Sequence, residues 1–282
     1  MCSRRPALAI ALSICLGAAL AAAGMVAAGT VAADDDPAPA PPAAPKRPVP
    51  DGAVALPGLL VLPKERRIEA EAWVCITEGP LEYLATTPAG KLHETLFVIE
   101  ASAQDVNLAL ILCGLKEKPQ VRWQGEAVAL TGDGAAIEAE LVDRSGAMVR
   151  RPVEDFVLDR FLGAPLEPRP FVFTGSRFIP NPEARFEDAP RGTPKTIFAA
   201  TASGSLIALY HDPDAILDNP RLTGGDIPIL LPTFGLPDLV DWISGDERHR
   251  AHTERLPARG TRAVLHIRAA PAQGGPTPGG RR

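Results

Sequence analysis

Cysteine is scarce in this sequence, and its spacing excludes several kinds of centre. The chain has four cysteines among 282 residues, and no two of them form a CxxC pair. Cysteine zinc sites, thioredoxin-type centres and iron–sulfur clusters need closely spaced thiols. We therefore expect no metal or redox cofactor of these kinds, and no other cofactor motif is present.

Positive charge is also in deficit. Lys and Arg together number 29 against 34 Asp and Glu, which gives a net charge of −5. A nucleic-acid binder needs a basic stripe to displace counterions from phosphates, and docking on anionic lipid needs a similar patch. We expect neither nucleic acid nor an anionic membrane surface as a partner.

Complete catalytic motifs are missing as well. His93 and Glu94 begin like a zinc-protease helix, but Phe97 stands where that motif needs its second histidine. Ser176 follows a glycine, but Phe178 replaces the last glycine of a nucleophile elbow. No glycine loop has the lysine and spacing that cradle a phosphate.

The N-terminus, by contrast, has the pattern of a secretory signal. Arg4 and Arg5 precede an apolar run rich in Ala and Leu, and small residues continue to Ala33. We predict cleavage near Ala32 or Ala33, which places the mature protein in the periplasm or another extracytoplasmic part of the cell envelope. An uncleaved anchor is the alternative, and it is the one membrane contact that we expect.

Composition divides the chain further. After the signal peptide (residues 1–33), residues 34–50 are rich in Pro and Ala and predict a disordered linker. Residues 269–282 have little apolar surface to bury and predict a disordered tail. Residues 51–268 are long enough for one substantial domain.

The alternation of apolar and polar residues predicts an α+β fold, a strand-rich single domain with an antiparallel or mixed sheet. Strands are expected at residues 67–76, 81–87, 92–100, 136–142, 171–174, 197–210 and 262–267. Ser102 resembles a helix N-cap and Gly114 a helix end, so we expect one helix at about residues 102–113. Its apolar run predicts that it is buried on the sheet.

The segments at residues 81–87 and 92–100 flank a turn-like Pro88-Ala-Gly-Lys91, and we predict a hairpin. Side chains alternate along a strand, so His93 and Glu94 would point to opposite faces, and Glu82 would lie well along the ladder from His93. Glu94 would then be a carboxylate on an apolar face, which is costly unless it is neutral, paired or hydrogen-bonded. It is either an acid/base or ligand group or a structural one.

Two further groups of residues have more than one possible role. Cys75 and Cys113 stay in the chain after signal cleavage, and their spacing fits one disulfide or two buried thiols equally. His211, Asp212 and Asp214 are weak candidate ligands for calcium, because the EF-hand spacing is absent.

Several short segments carry a family resemblance. They are Trp73-Val-Cys75, Gly79-Pro-Leu-Glu82, Lys91-Leu-His-Glu-Thr95, Cys113-Gly114, Phe171-Val-Phe-Thr-Gly-Ser176 and Arg259-Gly-Thr261. Together they resemble the YdjY-domain family of bacterial envelope and secreted proteins. The resemblance implies an exported domain and, since that family has no established activity, it supplies no catalytic residues.

The sequence therefore favours an exported, non-enzymatic binding or structural module whose partner is an unknown envelope protein or ligand. The alternative is a hydrolase or metal-assisted enzyme centred on Glu94, with Glu82, His93 or Tyr83 brought to it by an unforeseen bend.

Overall fold

The computed structural model describes residues 41–42, 48–118, 132–160, 162–186, 190–210, 212–220 and 248–270. The predicted signal peptide and most of the predicted linker lie outside these residues, so export stays a prediction. The described residues all belong to one compact unit. None of the helices in the described ranges combines the length and apolar character that crossing a bilayer requires.

Strands dominate the described residues. They are β1 (Val54–Leu56), β2 (Leu59–Leu62), β3 (Arg67–Val74), β4 (Tyr83–Thr86), β5 (Thr95–Ile99), β6 (Gly134–Val142), β7 (Met148–Pro152), β8 (Val157–Asp159), β9 (Ala164–Pro165), β10 (Phe171–Phe173), β11 (Phe178–Pro180), β12 (Thr196–Phe198), β13 (Ser205–Ala208), β14 (Leu217–Asp218), β15 (His249–Ala251) and β16 (Arg262–Ala270). The helices are α1 (Ala103–Leu112) and α2 (Ala199–Ser203), and short 3₁₀ turns lie at Pro63–Glu65, Leu92–Glu94, Val153–Phe156 and Glu183–Arg185.

Eight of these strands close into a barrel. Their order is β3, β16, β6, β10, β14, β13, β4, β5, and β5 pairs with β3 again to complete the ring. The sheet is mixed, since β4 with β5 and β13 with β14 are parallel pairs. The expected α+β class is therefore wrong, because the described part of the chain is mostly β and has two short helices. Alternation along the chain identifies strands, but the closing pairs join segments that are distant in sequence.

The longest strands form where the alternation is most regular. On β3 the buried residues Ile68, Ala70 and Ala72 alternate with partly exposed polar ones, as the sequence predicts. The antiparallel strand β16 pairs with residues 67–73 of β3 on one side and with β6 on the other. It extends to Ala270, two residues beyond the predicted end of the domain. This three-strand wall carries the recess described below.

Two hairpins extend the barrel wall. The strands β1 and β2 pair with each other, and β2 adds to the first half of β3, whose second half pairs with β5. On the far side, β7 adds to the second half of β6, whose first residues pair with β10. Two small sheets, β11 with β12 and β15 with β8 and β9, lie outside the ring.

The helix α1 lies where the sequence predicts one. The Ser102 hydroxyl accepts a hydrogen bond from the Asp105 amide at 3.1 Å and donates to the Asp105 carboxylate at 2.7 Å. Asp105 thus replaces the usual Glu or Gln of a capping box. The expectation of a buried helix is wrong in part, because α1 packs on β2, β13 and α2 through one side only. Leu108 and Ile111 are 44% and 46% exposed on the other side.

The predicted strand at residues 197–210 is also only partly correct. Phe198 ends β12, the five-residue helix α2 follows, and β13 begins at Ser205. Gly204 separates α2 from β13 in a left-handed conformation with φ of 75°. An alanine-rich stretch is compatible with strand or helix, and here the glycine C-cap ends a helix.

Candidate functional site

The predicted hairpin is wrong, and its correction brings two candidate carboxylates together. The strands β4 and β5 are parallel, with Tyr83 opposite Thr95. Leu92–Glu94 forms a 3₁₀ turn that returns the chain to the level of Glu82. The Glu82 amide donates a hydrogen bond to the Glu94 carbonyl oxygen at 3.0 Å. Glu82 and Glu94 are thus neighbours rather than separated along a ladder.

Lys91 lies between the two carboxylates. Its ammonium nitrogen donates to Oε2 of Glu82 at 2.6 Å and lies 3.7 Å from Oε2 of Glu94. The hydrogen bond to Glu82 raises the pKa of Lys91. Lys91 therefore balances part of the acidic charge of Glu82 and Glu94, a role that its place in a predicted turn did not suggest.

Glu94 does not lie on the apolar face that the hairpin predicted. Its side chain is 24% exposed, and its Oε2 is a buried atom with no hydrogen-bond partner among the described residues. His93 is 66% exposed, and its Nε2 lies 3.7 Å from Oε1 of Glu94, beyond hydrogen-bond distance. The Lys91 ammonium is equally 3.7 Å from Glu94, so neither group is within hydrogen-bond distance of this carboxylate. The geometry therefore shows no hydrogen-bonded acid/base pair between His93 and Glu94.

A tyrosine pair adjoins this cluster. The Tyr83 hydroxyl donates to Oδ2 of Asp212 at 3.1 Å and lies 2.8 Å from the Tyr210 hydroxyl. Since a phenol has one proton to donate, Tyr210 is the donor to Tyr83. Burial raises the pKa of both phenols, and the neighbouring Asp212 carboxylate raises them further. Lys91 lies 5.8 Å from the centre of the Tyr83 ring.

The oxygens of the predicted calcium ligands already have protein partners. Oδ1 of Asp212 accepts a hydrogen bond from the Asp214 amide at 2.9 Å, and Oδ1 of Asp214 accepts from the Arg177 guanidinium at 2.6 Å. His211 lies outside the described residues. Within the described residues, no group of three or more His, Cys, Asp or Glu side chains is arranged to hold a metal ion.

Neither Cys75 nor Cys113 forms a disulfide, and both are buried. The Cys75 thiol donates to the Leu92 carbonyl oxygen at 3.2 Å. Burial raises the pKa of Cys113 to about 11, against a smaller opposing effect of Arg66. Of the two alternatives left open by the sequence, the structure has the pair of thiols. A thiol with so high a pKa is a poor nucleophile at neutral pH.

A second site, which the sequence analysis missed, is a recess on the outer face of the sheet. Its volume is about 600 Å³, within the range of small-molecule sites. Its walls come from β6, β7, the first residues after β7, the loop before β10, and β16. Three arginines line it, Arg150, Arg169 and Arg268, together with Glu138 and Glu154.

The remaining lining of the recess is apolar. It includes Ala136 on β6 and three prolines, Pro152, Pro168 and Pro170. Rigid apolar walls with a few charged groups are typical of pockets that bind small organic ligands. The sequence carries no local signal for this recess, because its lining residues come from strands and loops that are distant along the chain.

No family model, curated protein or solved structure matches this chain in sequence or fold comparisons. The YdjY resemblance therefore stays a prediction, and function has to be argued from the two sites themselves.

Proposed function

We propose that this protein is an exported, non-enzymatic binding module and that the recess beside β7 and β16 is its binding surface. The observation that carries the proposal is the recess itself, a preformed cavity of about 600 Å³ with apolar walls and clustered arginines. Export rests on the N-terminal sequence, with its arginines and apolar run, and on the YdjY resemblance. The partner is a small ligand or a short segment of an envelope protein.

The arrangement of the other candidates supports a non-enzymatic role. Glu82 is tied to Lys91 at 2.6 Å, and the imidazole of His93 is exposed and 3.7 Å from Glu94. A hydrolase needs a base within hydrogen-bond reach of its nucleophile or of its water, and the described residues do not show that pairing around Glu94. An enzyme centred on Glu94 remains the alternative, with Glu82, His93 or Tyr83 in support.

A thermal-shift screen of the purified chain tests the proposal. The library should hold anionic, cationic and neutral small molecules and short peptides. A ligand that binds only the folded state stabilises it by about 2.7 kcal/mol at a concentration of 100 times its Kd. Hits should therefore raise the melting temperature in proportion to the logarithm of concentration.

Two matched variants locate the binding. Ala136 is exposed and lines the recess, so Ala136→Trp should fill it and abolish the shifts. Val142 lies on the same strand, is 40% exposed and does not line the recess, so Val142→Trp should leave the shifts unchanged. Hits that survive Ala136→Trp would contradict the proposal. So would turnover of any substrate that Glu94→Gln abolishes, which would establish the enzyme alternative.

A further inference from the structure

The outer face of the wall arranges its charges in rows. Residues directly opposite each other on antiparallel strands point to the same side of the sheet. Arg268 on β16 is opposite Arg67 on β3 and opposite Ala136 on β6. Arg268 and Arg67 are therefore cross-strand neighbours on one face of the sheet, and like charges in this relationship are destabilising.

Arg67 has carboxylates to balance it. Its guanidinium donates to Glu65 at 2.7 Å and also to Glu69. These contacts raise the pKa of Arg67, the hydrogen bond to Glu65 being the largest cause. The positive charge of Arg67 is thus satisfied by its own strand and by the turn before it.

The carboxylates nearest to the recess are also in use. Arg150 donates to Glu138 at 2.8 Å, and Oε1 of Glu154 accepts a hydrogen bond from the backbone amide of Arg169 at 3.2 Å. One row further along the wall, Glu140 lies 3.1 Å from the imidazole of His266. These acidic groups already have partners other than Arg268.

Arg268 is left without a counter-charge. Its side chain is exposed and lines the recess, and it makes no ion pair or side-chain hydrogen bond with any other described residue. A guanidinium offers five donors in a planar fork that fits carboxylate and phosphate oxygens. A bound anion would supply the charge that the wall lacks at this point and would relieve the repulsion from Arg67.

We propose that the recess binds a small organic anion, with a carboxylate or phosphate group on Arg268 and an apolar body against the prolines. Arg150 and Arg169 also line the recess, but Arg150 is paired with Glu138 and Arg169 with Glu167 at 2.9 Å. Arg268 is therefore the lining arginine without a paired carboxylate among the described residues. Pro152 and Pro168 offer the apolar contact. This inference rests on the proposed function and adds the chemical class of the ligand and the residue that recognises it.

Calorimetric titration with three probes of one chain length tests the inference. Octanoate, octyl phosphate and octanol share an apolar body, and only the first two carry an anionic group. Either anion or both should bind with a Kd at least tenfold lower than that of octanol. The stronger of the two anions identifies carboxylate or phosphate as the natural group. Inorganic phosphate alone should bind more weakly than octyl phosphate, because it lacks the apolar body.

Arg268→Gln should weaken binding of the favoured anion at least tenfold and leave octanol binding unchanged. Arg151→Gln is the matched control, because it removes the same charge from an exposed arginine of β7 that does not line the recess. Equal binding in the two variants, or octanol binding as tight as that of both anions, would overturn the inference.

The outcomes separate the two proposals. One outcome is that neutral or cationic ligands bind in a way that Ala136→Trp abolishes, while no anion binds in a way that depends on Arg268. That result would support the binding module and contradict the proposal that its ligand is an anion. If Ala136→Trp abolishes no binding at all, both the proposed binding module and its anionic ligand are contradicted.

Discussion

The hydroxyl oxygens of Tyr83 and Tyr210 lie 2.8 Å apart, and these residues are the only two tyrosines in the chain. They are far apart in sequence and meet because β4 and β13 are adjacent strands of the barrel. Tyr210 donates to Tyr83, which donates to Asp212, so the pair forms a short directed chain of hydrogen bonds. Since the protein has no other tyrosine, every tyrosine absorbance signal from the folded protein reports on this hydrogen-bonded pair.

The first prediction concerns the ionisation of these phenols. Burial raises the pKa of both above the usual value, so neither should ionise in the folded protein near pH 10. The unfolded chain loses these protons at a lower pH than the folded chain, so the free energy of unfolding should fall as pH rises above about 10. Absorbance of tyrosinate during a pH titration measures this directly.

The denatured protein is the control for that titration, since both phenols should then ionise at about pH 10. Tyr210→Phe leaves one tyrosine, Tyr83, whose ionisation should stay above the usual pH because its burial remains. If half of the tyrosine signal of the folded wild-type protein appears near pH 10, the buried pair is not present in solution.

A second prediction concerns the coupling of Lys91 to its two carboxylates. Lys91 is 51% exposed, so each pair should contribute only about 0.2–1 kcal/mol. The distances of 2.6 Å to Glu82 and 3.7 Å to Glu94 predict the larger coupling for Glu82. Double-mutant cycles with Lys91→Met, Glu82→Gln and Glu94→Gln, read by chemical denaturation, measure both couplings.

The same cycles measure how much Glu94 contributes to stability. Glu94→Gln alone should change the free energy of unfolding by less than about 1 kcal/mol. Raising the salt concentration should reduce both couplings, because the pairs are partly exposed. A coupling to Glu94 larger than that to Glu82 would show that the 3.7 Å separation does not describe the protein in solution.

The sequence predicted the wall of the barrel better than its closure. Period-two alternation placed the buried and partly exposed residues of β3 correctly from Arg67 to Ala72, where one face lies on the core. It fails at the end of that segment, where Trp73 and Cys75 are buried as well, and β16 is buried at five consecutive positions. The partner of β5 could not be found in this way. A turn-like Pro88 suggests a hairpin, whereas the 3₁₀ turn at Leu92–Glu94 makes the pair parallel, and only tertiary packing decides between the two.

The candidate sites show the same limit. Glu82, His93 and Glu94 were chosen for their chemistry, and the structure places them near one another but with Lys91 between the carboxylates. Arg268 carries no local signal of function, because what distinguishes it is an arginine across the sheet and a recess built from other strands. Such relationships are set by register and long-range contacts, which a single sequence does not specify.

A third prediction follows from a close backbone approach. Gly204 has φ of 75°, and a Cβ there would lie 2.5 Å from the Cα of Gly90. Gly204→Ala should cost about 1–2 kcal/mol for the left-handed conformation and roughly 1–3 kcal/mol more for the overlap. Gly146→Ala is the matched control, since Gly146 has φ of 84° and no atom within 4 Å of its Cβ position.

Chemical denaturation of the two glycine variants separates the contributions. Gly146→Ala should show only the conformational cost, about 1–2 kcal/mol. Equal losses of unfolding free energy in the two variants would mean that Gly204 and Gly90 are not in contact in solution. The loop after β4 would then not pack against the end of α2.

A fourth prediction concerns the two cysteines of the barrel. Cys75 and Cys113 are 0% and 2% exposed and are not joined by a disulfide, so native protein should resist alkylation at both positions. In denaturant without reductant, both should react completely, and digestion with mass spectrometry identifies each peptide. A peptide pair linked through Cys75 and Cys113 under these conditions would show a bridge.

The last prediction uses the histidine beside the recess. His266 is 5% exposed and lies 3.1 Å from Glu140, with Glu69 at 3.8 Å and the guanidinium of Arg67 at 3.4 Å. Burial lowers its pKa, as does the nearby Arg150, while the two glutamates oppose these effects. The net direction favours the neutral imidazole in the folded protein.

The sign of the pH effect follows from that direction. Above the pKa of the unfolded chain, about 6.5, the imidazole is neutral in both states and its contribution is complete. As pH falls below that value, the unfolded chain takes up the proton first, so the free energy of unfolding should fall through the lowered pKa of the folded state. His266→Gln should therefore reduce the loss of stability between pH 7 and pH 5. His93→Gln, at a histidine that is 66% exposed, is the control substitution. Equal slopes in wild-type protein and His266→Gln would contradict the prediction, because they would show that folding does not shift the pKa of His266. A steeper loss in His266→Gln than in wild-type protein would show that the imidazole is charged in the fold, held by Glu69 and Glu140 against its burial.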